Sequence, residues 1–60
     1  MKTNAEMALE ITLAAIKARG EVISQASSHR GDYMKMYLSD EAIAETFNSV
    51  VKMIESSQAE

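Results

Sequence analysis

The stretch from Ala5 to about Ser27 constrains this chain more than any other, because it alone is long and periodic enough to nucleate a fold. At about 100° per residue, Leu9, Leu13, Ile16, Gly20, Ile23 and Ser27 fall on one side in alternating steps of four and three, the spacing of a coiled-coil-like seam. Met7, Ile11, Ala14, Ala15, Ala18, Val22 and Ala26 lie on nearly the opposite side, and most of them are small. A polar strip of Glu6, Glu10, Lys17, Glu21 and Ser24 separates the two, and Thr12 and Arg19 form a thinner strip on the other side. A helix with two apolar stripes must bury both or present an adhesive surface. This segment therefore predicts a central helix flanked on two sides.

Size makes that demand harder to meet. A chain of 60 residues folds as one domain, and at that length only about 60% of the unfolded surface can be buried. The sequence has no cysteine, so neither a disulfide nor a thiolate metal site can staple it. One phenylalanine and two tyrosines are its only aromatic bulk besides His29. Self-association is the usual remaining staple for so small a chain, and a homodimer, a larger assembly or a tight hetero-partner that supplies the missing surface is expected.

The order of elements follows from local signals. Thr3 or Asn4 can cap the first helix, with Glu6 in its first turn. Lys17 and Arg19 precede Gly20 as a helix end would require, but the four-three spacing runs through Gly20 without a phase slip. The helix is read as continuous, with Gly20 permitting a close crossing or a slight bend. The polar cluster Ser27, Ser28, His29, Arg30, Gly31 and Asp32 is the best break in the chain, and Gly31 is the residue suited to a left-handed conformation there.

Tyr33, Met34, Lys35, Met36, Tyr37 and Leu38 follow in a pattern too short to assign, read as a connection that lies over the end of a helix pair. Ser39 then caps a second helix, with Asp40 and Glu41 in its first turn. Its seam is Ile43, Phe47, Val50 and Ile54, broadened by Ala44 and Val51, and fraying is expected from about Ser57 into Gln58, Ala59 and Glu60. The fold class read from the sequence is all-α: a two-helix antiparallel hairpin with a helix at about 4–28, a connection at about 29–38 and a helix at about 39–57. Pairing the seam of the second helix with the Leu9–Leu13 seam of the first leaves the alanine-rich face for a symmetry mate, giving a four-helix assembly.

Charge and residue chemistry narrow the function. Residues 1–28 balance to zero, the connection is plus one, and the remainder is minus four because Asp40, Glu41, Glu45, Glu55 and Glu60 face only Lys52. Phosphate binding needs clustered Lys and Arg, so the acidic second helix is a poor groove reader. A modest basic patch of Lys17, Arg19 and Arg30, joined by Lys35, is the nucleic-acid alternative. Catalysis has little to stand on: His29 beside Ser27, Ser28 and Asp32 has a triad's residue types but sits in one short connection, without the rigid elements and excluded pocket a triad requires. No catalytic residue, metal ligand set or cofactor site is assigned.

Arg30, Gly31 and Asp32 spell a tripeptide similar to the one integrin-binding adhesive proteins display on exposed loops. That resemblance covers three residues and carries no wider expectation. The N-terminus shows no secretory pattern, since Glu6 and Glu10 interrupt the only apolar candidate, and a cytoplasmic location is expected. The reading is a small non-catalytic protein-interaction or regulatory module that acts as a homo-oligomer, of a size often encoded on compact bacterial or phage genomes. Its assigned partner contact is Arg30, Tyr33, Met34, Lys35, Met36 and Tyr37. Its assigned self-association face is Ile11, Ala15, Ala18 and Val22. A purely structural assembly unit is the third reading.

Overall fold

The computed structural model describes residues 1–58 and contains three helices: α1 over Asn4–Ser24, α2 over Arg30–Leu38 and α3 over Asp40–Gln58. The all-α class holds, but the two-helix hairpin becomes three helices, since most of the connection at 29–38 is itself helical. Nothing in RGDYMKMYL forbids a helix, and Arg, Met, Lys and Leu favour one. Its hydrophobic pattern is weak because apolar and polar residues occur on every side, which is why periodicity alone did not reveal it.

Each helix start has a visible cause. Thr3 caps α1 by accepting from the Glu6 amide at 3.1 Å, and the Glu6 carboxylate accepts from the Thr3 amide at 3.2 Å. This reciprocal pair is a capping box, which satisfies two backbone donors that the helix leaves free. At α3 the Ser39 hydroxyl accepts from the Ala42 amide at 3.2 Å, with Asp40 and Glu41 in the first turn. Both caps agree with the sequence reading.

The end of α1 differs from it. The helix stops at Ser24, not near Ser28. The Ser24 hydroxyl donates to the Glu21 carbonyl at 2.8 Å, while Gln25 and Ala26 donate to Val22 and Ile23 in a tightened last turn. Serine-rich sequence offers the backbone such alternative partners, and the helix yields to them. Gly20 lies inside α1, so the helix is continuous through it as expected. The left-handed residue is His29 (φ 59°), not Gly31, which instead lies in the first turn of α2. The Arg30 guanidinium donates to the Ala26 carbonyl at 3.0 Å and ties the turn together.

α1 and α3 run antiparallel. The Asn4 side chain donates to Gln58 at 2.9 Å at one end of the pair, and Arg19 donates to Thr46 at 2.9 Å farther along. Helix α3 continues past Ser57, where fraying was expected, through Gln58; the rest of that expected tail, Ala59 and Glu60, lies outside the described residues. The buried side chains are Ala8, Thr12, Ile23 and Val50, and α3 turns its expected seam of Ile43, Phe47, Val50 and Ile54 inward.

The inward line of α1 is the main correction. Ala8, Thr12, Ala15, Arg19 and Ile23 face the fold, so the strip of Thr12 and Arg19 that reads as polar is central, while Leu9 and Leu13 remain 51% and 58% exposed. Small Ala8 and Thr12 let the two backbones approach, and Arg19 reaches across to α3, where bulkier Leu9 and Leu13 would hold the helices apart. The molecule is elongated, 44 × 18 × 17 Å, with a radius of gyration of 13.5 Å against about 10 Å for a compact chain of this length. Its accessible surface of 4766 Å² is about 900 Å² more than a compact monomer of this mass exposes.

Candidate functional site

No pocket opens among the described residues, and no group of three or more His, Asp and Glu side chains gathers there in a metal-holding arrangement. What the fold presents is surface, and that surface has two parts. The first is α1. Around its inward line, Leu9, Leu13, Ile16 and Gly20 form one flank, and Ile11, Ala14, Ala18 and Val22 form the other. Leu9 and Leu13 on the first flank and Ile11 and Val22 on the second are each about half exposed or more, whereas Ile16 and Gly20 are half-buried, so neither flank is fully covered by the rest of the chain.

Of the residues assigned from sequence to self-association, Ile11, Ala18 and Val22 share the second flank, and Ala15 lies half-buried at its border with α3. Leu9 and Leu13, expected to be consumed inside the hairpin, are instead available outside it. Sequence reasoning missed this first flank because it assigned the larger side chains to the core. The signal that could have revealed it was the run Ala8, Thr12 and Arg19, whose small or cross-bonding side chains allow the closer helix contact.

The second part is α2. His29 and Tyr33 meet edge-on with ring centroids 6.4 Å apart, and Tyr33 and Tyr37 follow in a tilted pair at 6.5 Å. Spacing of four residues stacks these three rings along one face of α2, where Met36 also lies. Both tyrosines and both methionines of α2 are exposed, and α2 buries none of its side chains completely. The segment therefore touches α1 and α3 without closing over their end. Met34 sits toward the side of Leu38, and Lys35 lies opposite the ring face, so the six residues assigned to a partner contact do not share one surface. His29, Tyr33, Met36 and Tyr37 do.

Electrostatics distribute the basic residues unequally. The Arg19 guanidinium donates to the Thr46 hydroxyl at 2.9 Å and to the Tyr37 carbonyl at 3.3 Å, joining all three helices, while the Thr46 hydroxyl donates to the Ala42 carbonyl at 2.9 Å. Arg30 is held on Ala26. Of the basic patch, Lys17 and the adjoining Lys35 make no ion pair or side-chain hydrogen bond among the described residues. His29 Nδ1 lies 3.8 Å from the Asp32 carboxylate, both exposed. The Arg30-Gly31-Asp32 tripeptide opens α2 as helix, not as the exposed loop its resemblance implies.

Among the described residues no helix is long and apolar enough to cross a membrane. No family model matches the chain, and no curated protein or solved structure matches it.

Proposed function

We propose that this chain is a small non-catalytic interaction module that self-associates through α1 and engages a protein partner through α2. The observation that carries the reading is the pair of uncovered apolar flanks on α1, in a molecule with about 900 Å² of surface beyond that of a compact monomer. A standard protein interface removes about 800 Å² from each partner, so one such contact would bring the chain to the exposure typical of its size.

The ring face of α2 supports the second half. Tyrosine and methionine are enriched at the centres of interfaces, tyrosine for large area at low ordering cost and methionine for its adaptable shape. Replacing Tyr33 and Tyr37 together by Ala leaves the buried residues untouched. The expected result is unchanged helicity by circular dichroism and loss of a partner cross-linked through a photoreactive group at position 36. Undiminished cross-linking to the same partner would reject α2 as the contact.

A nucleic-acid-binding dimer is the second reading, favoured by Lys17, whose charge is unpaired among the described residues, and weakened by the hydrogen bonds that already engage the guanidinium groups of Arg19 and Arg30. It requires affinity that falls steeply as salt rises.

A further inference from the structure

Within the reading that the chain self-associates, we infer that a second copy docks antiparallel on the Leu9–Leu13–Ile16–Gly20 flank of α1, with Leu9 of each copy seated over Gly20 of the other. Gly20 supplies the first reason. It lies in a helix interior, where glycine is unfavourable, yet a Cβ built at that position meets no atom within 4 Å. No close approach inside the chain explains the missing side chain. The space above Gly20 is an open notch on an otherwise apolar flank.

Self-complementarity supplies the second. About a two-fold axis between Ala14 and Ala15, Leu9 faces Gly20 of the second copy and Leu13 faces its Ile16, so a projecting side chain meets the notch at both ends. A two-fold interface must pair a patch with itself in this way. A parallel arrangement would set Gly20 against Gly20 and leave a gap.

Charge agrees with the antiparallel direction. Lys17 and Glu10 lie along the same edge of this flank, and the two-fold operation brings Lys17 of one copy within about two residues of Glu10 of the other, within reach of long side chains. In a parallel two-fold pair this edge of one copy would lie on the opposite side of the contact from the same edge of the other, and Lys17 would not meet Glu10. Area closes the argument: the surplus surface of about 900 Å² matches the roughly 800 Å² that each partner loses in a stable interface.

The test is sedimentation equilibrium of the full chain and of Leu13→Glu and Ile11→Glu, with circular dichroism to confirm helicity. Both positions are about half exposed, so either variant retains its fold. The expected result is a dimer for the native chain and for Ile11→Glu, and a monomer for Leu13→Glu. A native monomer at millimolar concentration would overturn both the self-association reading and this interface. A dimer that survives Leu13→Glu but not Ile11→Glu would overturn this interface alone and move self-association to the opposite flank.

Two further measurements test the geometry. Gly20→Ala fills the notch, and the dimer dissociation constant is expected to rise about tenfold or more; an unchanged or lower constant would reject the seat for Leu9. Because the native chain has no cysteine, an oxidised mixture of Leu9→Cys and Gly20→Cys chains should form mainly the mixed disulfide. Predominance of the two self-disulfides would reject the antiparallel direction.

Discussion

Thr12 is 2% exposed, and its hydroxyl has no hydrogen-bond partner. Burying a hydroxyl without a partner costs about 1–3 kcal/mol, a large share of the stability of so short a chain. Thr12→Val keeps the branched shape and removes the orphaned group. It should raise the free energy of unfolding by about 1 kcal/mol and Tm by about 4–8 °C, measured by thermal melts at one fixed concentration. A lower Tm would mean that the hydroxyl finds a partner in solution. Arg19 shows the opposite economy, because its guanidinium donates to both the half-buried Thr46 hydroxyl and the exposed Tyr37 carbonyl, and this three-helix link explains why a cation sits beside the packed line.

At the scale of the element, α1 depends on its start more than on its end. The capping box of Thr3 and Glu6 fixes the first turn, whereas the last turn has no basic side chain and closes through i to i−3 bonds at Gln25 and Ala26. Thr3→Ala removes the acceptor for the Glu6 amide and should cost about 1 kcal/mol, read as a lower urea midpoint with an unchanged slope. An unchanged midpoint would assign the start of α1 to tertiary packing. α2 is the least supported element, nine residues long with no completely buried side chain, below the length at which isolated helices persist. Its amides should exchange with solvent faster than those near Val50; equal protection would mean that α2 is covered in the assembled state.

The whole molecule is a thin, elongated bundle whose centre, among the described residues, contains only Ala8, Thr12, Ile23 and Val50 as buried residues. A self-associating chain gains stability by mass action, so Tm should rise as protein concentration rises, by an amount that follows the dimer dissociation constant. A Tm independent of concentration across about three decades would leave the apolar flanks of α1 without a role in folding. Helix patterns, caps and the inward seam of α3 were legible because each rests on residues close in sequence: Thr3 with Glu6, Ser39 with Ala42, and Ile43 through Ile54. The helical nature of residues 30–38 was not, since RGDYMKMYL carries no clear period, and neither was the left-handed turn at His29, where glycine at position 31 drew the assignment.

The sequence by itself determined that the chain is helical, that α1 continues through Gly20, that α3 has one apolar face and α1 has more than one, and that the acidic charge concentrates toward the C-terminus. Tertiary structure decided which line of α1 turns inward. Apolar and small residues surround most of that helix, so periodicity ranks its stripes by bulk, whereas helix packing ranks them by how closely two backbones can approach. Ala8 and Thr12 allow that approach and Arg19 bonds across it, which leaves Leu9 and Leu13 outside. The core contact is a property of two surfaces together, and a local pattern specifies only one of them.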